Sequence, residues 1–257
     1  MNDNTAVDLV IDTQESVRRI GLDRPPANAL PSHMWTAITG ALDEVNSAVD
    51  VRAVVLHGAE GRFCAGADIS ELANPDPAAD DAAMLTVVSQ AASAVRACRV
   101  PVIAAIDGPA HGGGLELALA CDIRVASSQA TFAASGVNVG LIASVGSLVD
   151  AVGDTIARRM LLTGEQIDAV SAQRWGLITE IVDAPNDAAL ALASSIASKA
   201  PLAIEATKAA LNDLPAQSPE ERRAALSDTF RRLIGTADHR EAIAAFLEKR
   251  TPNFGRG

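Results

Sequence analysis

A glycine-rich turn between an apolar strand and a helix constrains the fold of this chain more than any other segment. Val100–Ile106 is apolar throughout, as expected of a strand that is covered on both faces of a sheet. Glycines follow at positions 112, 113 and 114, immediately before an apolar run that indicates a helix ending near Asp122. Glycine lets the backbone adopt conformations closed to other residues and lets another group approach closely. The segment therefore predicts a strand–turn–helix unit of an α/β protein.

The start of that helix is also a candidate for chemistry. Its first N–H groups have no partner within the helix and lie at the positive end of the helix dipole. Glu116 lies in the first turn. A carboxylate beside such donors is an arrangement that can hold negative charge on an oxygen and move a proton next to it.

A second loop of small residues has the same setting. Phe63–Ile69 follows the strand predicted at Val51–His57 and precedes a short helix. Taken singly, either loop is explained equally well as a tight packing turn. As a pair, the loops predict that the N–H groups of Ala67 and Gly113 converge into an oxyanion hole, in which each donor lowers a barrier by about 3–4 kcal/mol.

Strands and helices alternate over the first two thirds of the chain, whereas the last third is helical. The predicted strands lie at 7–12, 16–22, 51–57, 100–106, 122–126, 131–133 and 177–182. The predicted helices lie at 32–49, 80–98, 147–162, 171–176, 187–199, 201–213, 218–234 and 238–248. We expect an α/β core over residues 1–195 and a C-terminal helical module over residues 196–257.

Composition and charge narrow the class of partner. The 257 residues carry a net charge of −11, include 3% aromatic residues and contain no long basic run. Nucleic acid and an anionic membrane surface are therefore disfavoured. No apolar run reaches membrane-spanning length, and the N-terminus lacks the pattern of a signal peptide. We expect a cytoplasmic protein with no membrane partner.

The three cysteines, Cys64, Cys98 and Cys121, lie among apolar or small residues. An odd number of cysteines in such surroundings predicts buried thiols in a reducing compartment. No CxxC or HxxxH spacing occurs, so we expect no metal site.

Seven segments, spread in order over nearly the whole chain, resemble motifs of the enoyl-CoA hydratase/isomerase family of the crotonase superfamily. They are Asp23–Leu30, Phe63–Ile69, Pro101–Gly108, Gly112–Arg124, Leu161–Gly164, Trp175–Ile178 and Ala245–Arg250. The resemblance implies a crotonase-like α/β spiral of repeated strand–strand–helix units, with C-terminal helices that drive assembly into a homotrimer, often a dimer of trimers. The motifs GxGxxG, GxxxxGK(S/T) and GxSxG are absent, which disfavours a dinucleotide site, a P-loop and a serine hydrolase.

The same resemblance implies roles for individual residues. Ala67 and Gly113 would donate to the thioester oxygen of an acyl-CoA, where an enolate-like intermediate carries its charge. Glu116 matches the first of two family glutamates that act on water and on C2. Residues matching the CoA-binding positions are Arg24, Ala27, Asn28, Ala65, Asp68, Ile69 and Gly112, with Phe246 and Lys249 closing the site, often from a neighbouring subunit. No cofactor is implied beyond the CoA moiety of the substrate.

The chain departs from the family pattern at the second glutamate. Ser135 and Gly136 stand where the family has Pro-Glu, and the loop that follows is shorter. General acid–base groups contribute about 10²–10⁴-fold to a rate, so Gly136 marks a lost acid–base position. His111 could titrate near neutrality as an auxiliary group, or be a half-buried loop residue.

Other polar residues flank the altered loop. Asn138 and Ser144 could position water, and Asp150 could face inward or toward solvent from its helix.

The leading hypothesis is an acyl-CoA enzyme that adds water to a 2-enoyl-CoA through the oxyanion hole and Glu116. The alternatives are a non-catalytic acyl-CoA-binding protein, which the loss at Gly136 favours, and a hydrolase, decarboxylase, carbon–carbon lyase or isomerase of the same family.

Overall fold

The computed structural model describes residues 9–73 and 82–257. Its strands are β1 (Leu9–Gln14), β2 (Val17–Leu22), β3 (Ala29–Leu30), β4 (Ala53–Gly58), β5 (Gly66–Ala67), β6 (Val102–Ile106), β7 (Pro109–His111), β8 (Ile123–Ala126), β9 (Thr131–Ala133), β10 (Gln166–Asp168) and β11 (Glu180–Ile181). The main sheet has six strands in the order β1–β2–β4–β6–β8–β11. Strands β1 and β2 pair antiparallel, and the remaining pairs of this sheet are parallel.

The helices cover both faces of this sheet and form the C-terminal third. They are α1 (Ser32–Ser47), α2 (Ile69–Ala73), α3 (Ala83–Ala97), α4 (Gly113–Ala120), α5 (Val145–Thr163), α6 (Ala169–Arg174), α7 (Pro185–Ala197), α8 (Pro201–Asp213), α9 (Pro219–Leu233) and α10 (Ala237–Glu248). Short 3₁₀ helices lie at Ser135–Val139 and Leu214–Ala216.

The central strands are followed by short strands that leave the main sheet. Strand β4 leads to β5, β6 to β7 and β8 to β9. Strands β7, β9 and β10 form a second sheet, and β3 pairs with β5 in a third. A helix follows each short strand, so the predicted α/β architecture of repeated strand–strand–helix units is confirmed.

Alternate residues of β6 belong to different hydrophobic clusters. Val102, Ala104 and Ile106 pack into the large cluster that includes Trp35 of α1 and residues of α3. Ile103 and Ala105 pack into a second cluster with residues of α7. This burial on both faces explains why the sequence of the strand is apolar throughout and does not alternate.

The predicted element boundaries differ from the structure where elements are short. The strand predicted at 177–182 is reduced to Glu180–Ile181, and the helix predicted at 171–176 lies at Ala169–Arg174, where Asp168 caps it by accepting from the Ser171 N–H at 2.7 Å. The sequence does not predict strands β3, β5, β7 and β10, because segments of two or three residues show little periodicity. It does predict the three-residue strand β9. The first residues of the strand predicted at 7–12 and of the helix predicted at 80–98 lie outside the described residues.

Helix α7 crosses the predicted boundary between residues 195 and 196 and packs on the main sheet through Ala189 and Ala193.

Within the described residues no single helix is long and apolar enough to cross a membrane. Helix α7 and the segment Pro201–Ala216 meet the length and composition test only as a pair, which is bent by 112° at the junction.

A buried lysine joins the C-terminal helices to the α/β core. Lys208 of α8 is 4% exposed. Its Nζ donates to the carbonyls of Val95 at 3.2 Å and Val100 at 3.0 Å and to Asp122 Oδ2 at 2.7 Å. The same Asp122 oxygen accepts from the Val102 N–H at 2.7 Å. One ammonium group thus links α8 to the end of α3, the start of β6 and the end of α4.

We expect Lys208→Met to destabilise the protein by about 3 kcal/mol, because breaking a buried ion pair leaves its partner groups unsatisfied. Lys199→Met is the matched control, since Lys199 is exposed and its side chain makes no hydrogen bond or ion pair with any described residue. The midpoint of urea unfolding measures both variants. Equal midpoints for the two variants would contradict the role given to Lys208.

Candidate active site

The glycine turn brings two loops into direct backbone contact. Gly112 has φ of 51°, which favours glycine, and a Cβ on Gly114 would lie 2.1 Å from the carbonyl oxygen of Cys64. The Cys64 N–H donates to Pro109 O at 2.9 Å, and the His111 N–H donates to Cys64 O at 3.0 Å. The loop around Cys64 therefore packs against the turn with no room for side chains between them.

This packing places the two predicted oxyanion donors side by side. Gly113 is the first residue of α4, so its N–H has no partner within the helix. A Cβ built on Gly113 would lie 3.5 Å from the nitrogen of Ala67 and 3.1 Å from Cζ2 of Trp35. A Cβ on Gly66 would lie 3.1 Å from the nitrogen of Gly113. The backbone segments at Ala67 and Gly113 therefore lie next to each other.

Glu116 lies in the first turn of α4 and is held at both carboxylate oxygens. Arg96 Nη2 donates to Oε1 at 3.2 Å, and Ser147 Oγ donates to Oε2 at 2.6 Å. The Glu116 side chain is 15% exposed, and that of Arg96 is 41% exposed. Two contacts from two different helices fix the orientation of this carboxylate.

These groups line a cleft of about 900 Å³. Its ionisable lining side chains, among the described residues, are Arg96, Glu116 and Asp150. Much of the remaining surface is apolar and comes from α3 and from the segment that leads into α5, namely Met84, Leu85, Val88, Val139, Leu141, Ile142 and Val145. The cleft therefore combines a polar end at Glu116 with an apolar wall.

Gly136 lines the same cleft and offers it no side chain. It lies in the 3₁₀ helix, and its carbonyl accepts from the Leu141 N–H at 2.8 Å. Ser144 also lines the cleft, with φ of 57° and a buried hydroxyl that has no hydrogen-bond partner among the described residues. Asn138 lines it too, but its amide donates to Gly164 O at 3.0 Å and is committed to the fold.

Several residues matched to the CoA moiety gather at the loop beside the cleft. Ala65, Ile69 and Gly112 line the cleft itself. Arg24 pairs with Asp68 at 3.2 Å. Hydrogen bonds from Ser70 lower the pKa of Asp68, and the nearby Arg24 guanidinium adds to the effect.

The remaining two residues of this group, Ala27 and Asn28, form hydrogen bonds that hold the loop in place. Asn28 is 2% exposed, and its amide donates to the carbonyls of Leu22, Arg62 and Phe63. The carbonyls of Ala27 and Asn28 both lie 3.2 Å from the Ala65 nitrogen. The buried amide of Asn28 therefore fixes the position of the loop at Arg62 and Phe63.

His111, Phe246 and Lys249, three of the predicted site residues, neither line the cleft nor belong to the loop beside it. His111 lies beside the turn with Nε2 3.0 Å from Thr131 Oγ1, and burial lowers its pKa. It lies outside the cleft lining, so its interpretation as an auxiliary group has no geometric support. Phe246 is 82% exposed on α10, and Lys249 is the C-cap residue of that helix.

Sequence reasoning missed Arg96 and Ser147. One feature of the sequence could have indicated Arg96, because it is the one charged side chain among the residues of α3. An isolated charge on an otherwise uncharged helix needs a partner or an exit to solvent. Ser147 had no such signal, since its contact with Glu116 depends on where α5 lies against α4.

The cysteines are confirmed as buried free thiols. Burial raises the pKa of Cys64 and of Cys121 to about 12, so neither is a ready nucleophile. Within residues 9–73 and 82–257 no group of three His, Cys, Asp or Glu side chains could hold a metal ion.

The chain is similar to known proteins over nearly its whole length. The family model described as enoyl-CoA hydratase/isomerase matches residues 12–257. The chain is 35% identical over 253 residues to 2,3-dehydroadipyl-CoA hydratase of Escherichia coli, covering 96% of this chain and 98% of the relative. It is 36% identical over 256 residues to (E)-benzylidenesuccinyl-CoA hydratase of Thauera aromatica, covering 96% and 98%.

Solved structures show the same fold. DspI of Pseudomonas aeruginosa superposes with a TM-score of 0.92 at 34% identity, covering 99% of this chain and 100% of that one. An enoyl-CoA hydratase of Bacillus anthracis superposes with a TM-score of 0.91 at 30% identity, covering 97% and 100%. The chain therefore belongs to the enoyl-CoA hydratase/isomerase family.

Proposed function

We propose that this protein is an acyl-CoA hydratase that adds water across the C2–C3 double bond of a 2-enoyl-CoA. The observation that carries the proposal is the position of Glu116, which is clamped by Arg96 and Ser147 beside the donors of Ala67 and Gly113. The hydratase names of relatives in two bacteria support the same reaction class.

In the proposed reaction the thioester oxygen accepts from the N–H groups of Ala67 and Gly113. Attack of water at C3 moves the π electrons toward that oxygen, and the resulting enolate is bound more strongly than the substrate. Glu116 accepts a hydrogen bond from the attacking water and orients it toward C3. The CoA moiety belongs to the substrate, and the proposal requires no other cofactor.

The proposed CoA site includes Ala65 and Ile69, which line the cleft, and the neighbouring pair Arg24 and Asp68. Arg24, which is paired with Asp68 at 3.2 Å, offers its remaining guanidinium donors to a phosphate group of the ligand. Because Phe246 and Lys249 do not reach this cleft, we propose that they act on the site of a neighbouring subunit.

Glu116→Gln should lower the rate of hydration of crotonyl-CoA or a longer 2-enoyl-CoA by about 10²–10⁴-fold, because the water loses its carboxylate acceptor. The measurement is the loss of enoyl-thioester absorbance with time. Glu180→Gln, an exposed site away from the cleft, serves as control and should hydrate at the wild-type rate. A folded wild-type protein that binds enoyl-CoA but hydrates no chain length would contradict the proposed reaction.

Gly66→Ala should impair the oxyanion hole. The new Cβ would lie 2.8 Å from His111 O and 3.1 Å from Gly113 N at a residue with φ of 107°. We expect kcat to fall by about 10²-fold, as when one oxyanion donor is lost. Gly146→Ala, in the same cleft but with no atom within 4 Å of the new Cβ, is the control, and equal kcat values in the two folded variants would argue against the hole.

We also propose a homotrimer or a dimer of trimers. Helix α9 has no buried residue, and the apolar side chains of Leu226, Phe230, Phe246 and Leu247 are all more than half exposed. Light scattering after size exclusion should give about three or six times the chain mass of 26.5 kDa. A protein that elutes as a monomer at micromolar concentration would contradict this assembly.

A further inference from the structure

The cleft contains a second carboxylate that the family pattern does not place. We propose that Asp150 on α5 is the acid–base group that replaces the carboxylate missing at Gly136. This inference rests on hydration as the proposed function.

The contact between Ser147 and Glu116 indicates where Asp150 lies, because Asp150 and Ser147 are on the same helix. The Ser147 hydroxyl is 2.6 Å from Glu116 Oε2, and Asp150 lies three residues further along the same helix. Side chains three apart on a helix are neighbours, with Cβ atoms about 5–6 Å from each other. The one non-helical residue of α5 is Gly153, beyond both positions. Since Asp150 also lines the cleft, this residue lies on the side of α5 that holds Glu116.

Elimination among the cleft residues points to the same side chain. Of its three ionisable lining groups in the described structure, Arg96 has no acceptor, and Glu116 is the carboxylate proposed to hold and orient the attacking water. The hydroxyls of Ser135 and Ser144 are far weaker bases than a carboxylate. Asp150 is the group left to accept and return a proton.

Asp150 is also free to do so. It is exposed and makes no hydrogen bond or ion pair with any residue that the structure describes. Asp154, one turn further along, is instead paired with Arg158 at 2.7 Å. Arg96, which pairs with Glu116, compensates one of the two negative charges in the cleft and so reduces the repulsion between the carboxylates.

The proposed step balances with one water molecule and no other reactant. Water forms its oxygen–carbon bond at C3, and the π pair of C2=C3 becomes the enolate held by Ala67 and Gly113. The proton that water loses passes to the Asp150 carboxylate. Asp150 returns that proton to C2 as the enolate collapses to the thioester. H and OH have then been added across C2–C3, and both carboxylates end as they began.

The test compares Asp150→Asn, Asp150→Glu and the matched control Asp154→Asn. Each variant is assayed for hydration of crotonyl-CoA and for calorimetric binding of butyryl-CoA, which has no double bond to hydrate. Circular dichroism and the midpoint of urea unfolding report folding. Because residue 150 is exposed and the Asn side chain has nearly the same shape, the fold should be unaffected.

We expect Asp150→Asn to lower kcat by about 100-fold with butyryl-CoA binding unchanged, Asp150→Glu to regain part of that loss, and Asp154→Asn to match the wild type. A wild-type protein that hydrates crotonyl-CoA together with an equally active Asp150→Asn variant would overturn the inference and leave the proposed function standing. A wild type that hydrates no 2-enoyl-CoA would overturn both.

Discussion

The candidate site depends on the close backbone approach of two loops. One carries Cys64, Gly66 and Ala67, and the other carries the glycines that open α4. A methyl group at position 114 would lie 2.1 Å from the Cys64 carbonyl, a distance that real Cβ atoms do not occupy, so the contact exists only because that residue is glycine. Everything else in the cleft is arranged around the point where these two loops touch.

The same contact links the site to the fold. The two loops follow β4 and β6, which are adjacent parallel strands in the middle of the main sheet. The carboxyl ends of adjacent parallel strands lie at the same edge of a sheet, so the loops that follow β4 and β6 meet at that edge. Helix α4 then starts at the meeting point, which directs its first N–H groups and Glu116 into the cleft. Helices α3 and α5 flank α4 and supply Arg96 and Ser147.

Sequence reasoning could predict the parts that rest on local pattern. The apolar strands β4 and β6, the glycine turn and the position of Glu116 follow from periodicity and residue type. It could not predict contacts between elements distant in sequence. The Arg96–Glu116 and Ser147–Glu116 contacts join residues 20 and 31 positions apart, and their existence depends on how three helices pack. His111 shows the converse limit, because sequence adjacency to the turn does not place its side chain in the cleft.

Gly136 offers the cleft no side chain, and Glu116 is held there by Arg96 and Ser147. The proposed chemistry therefore depends on what else faces the acyl group. A crystal structure with bound butyryl-CoA tests this account most directly. The account predicts the thioester oxygen about 3 Å from both the Ala67 and Gly113 nitrogens, with C2 and C3 between Glu116 and Asp150. A thioester oxygen that contacts neither nitrogen, or an acyl chain that leaves the cleft away from Glu116, would contradict it.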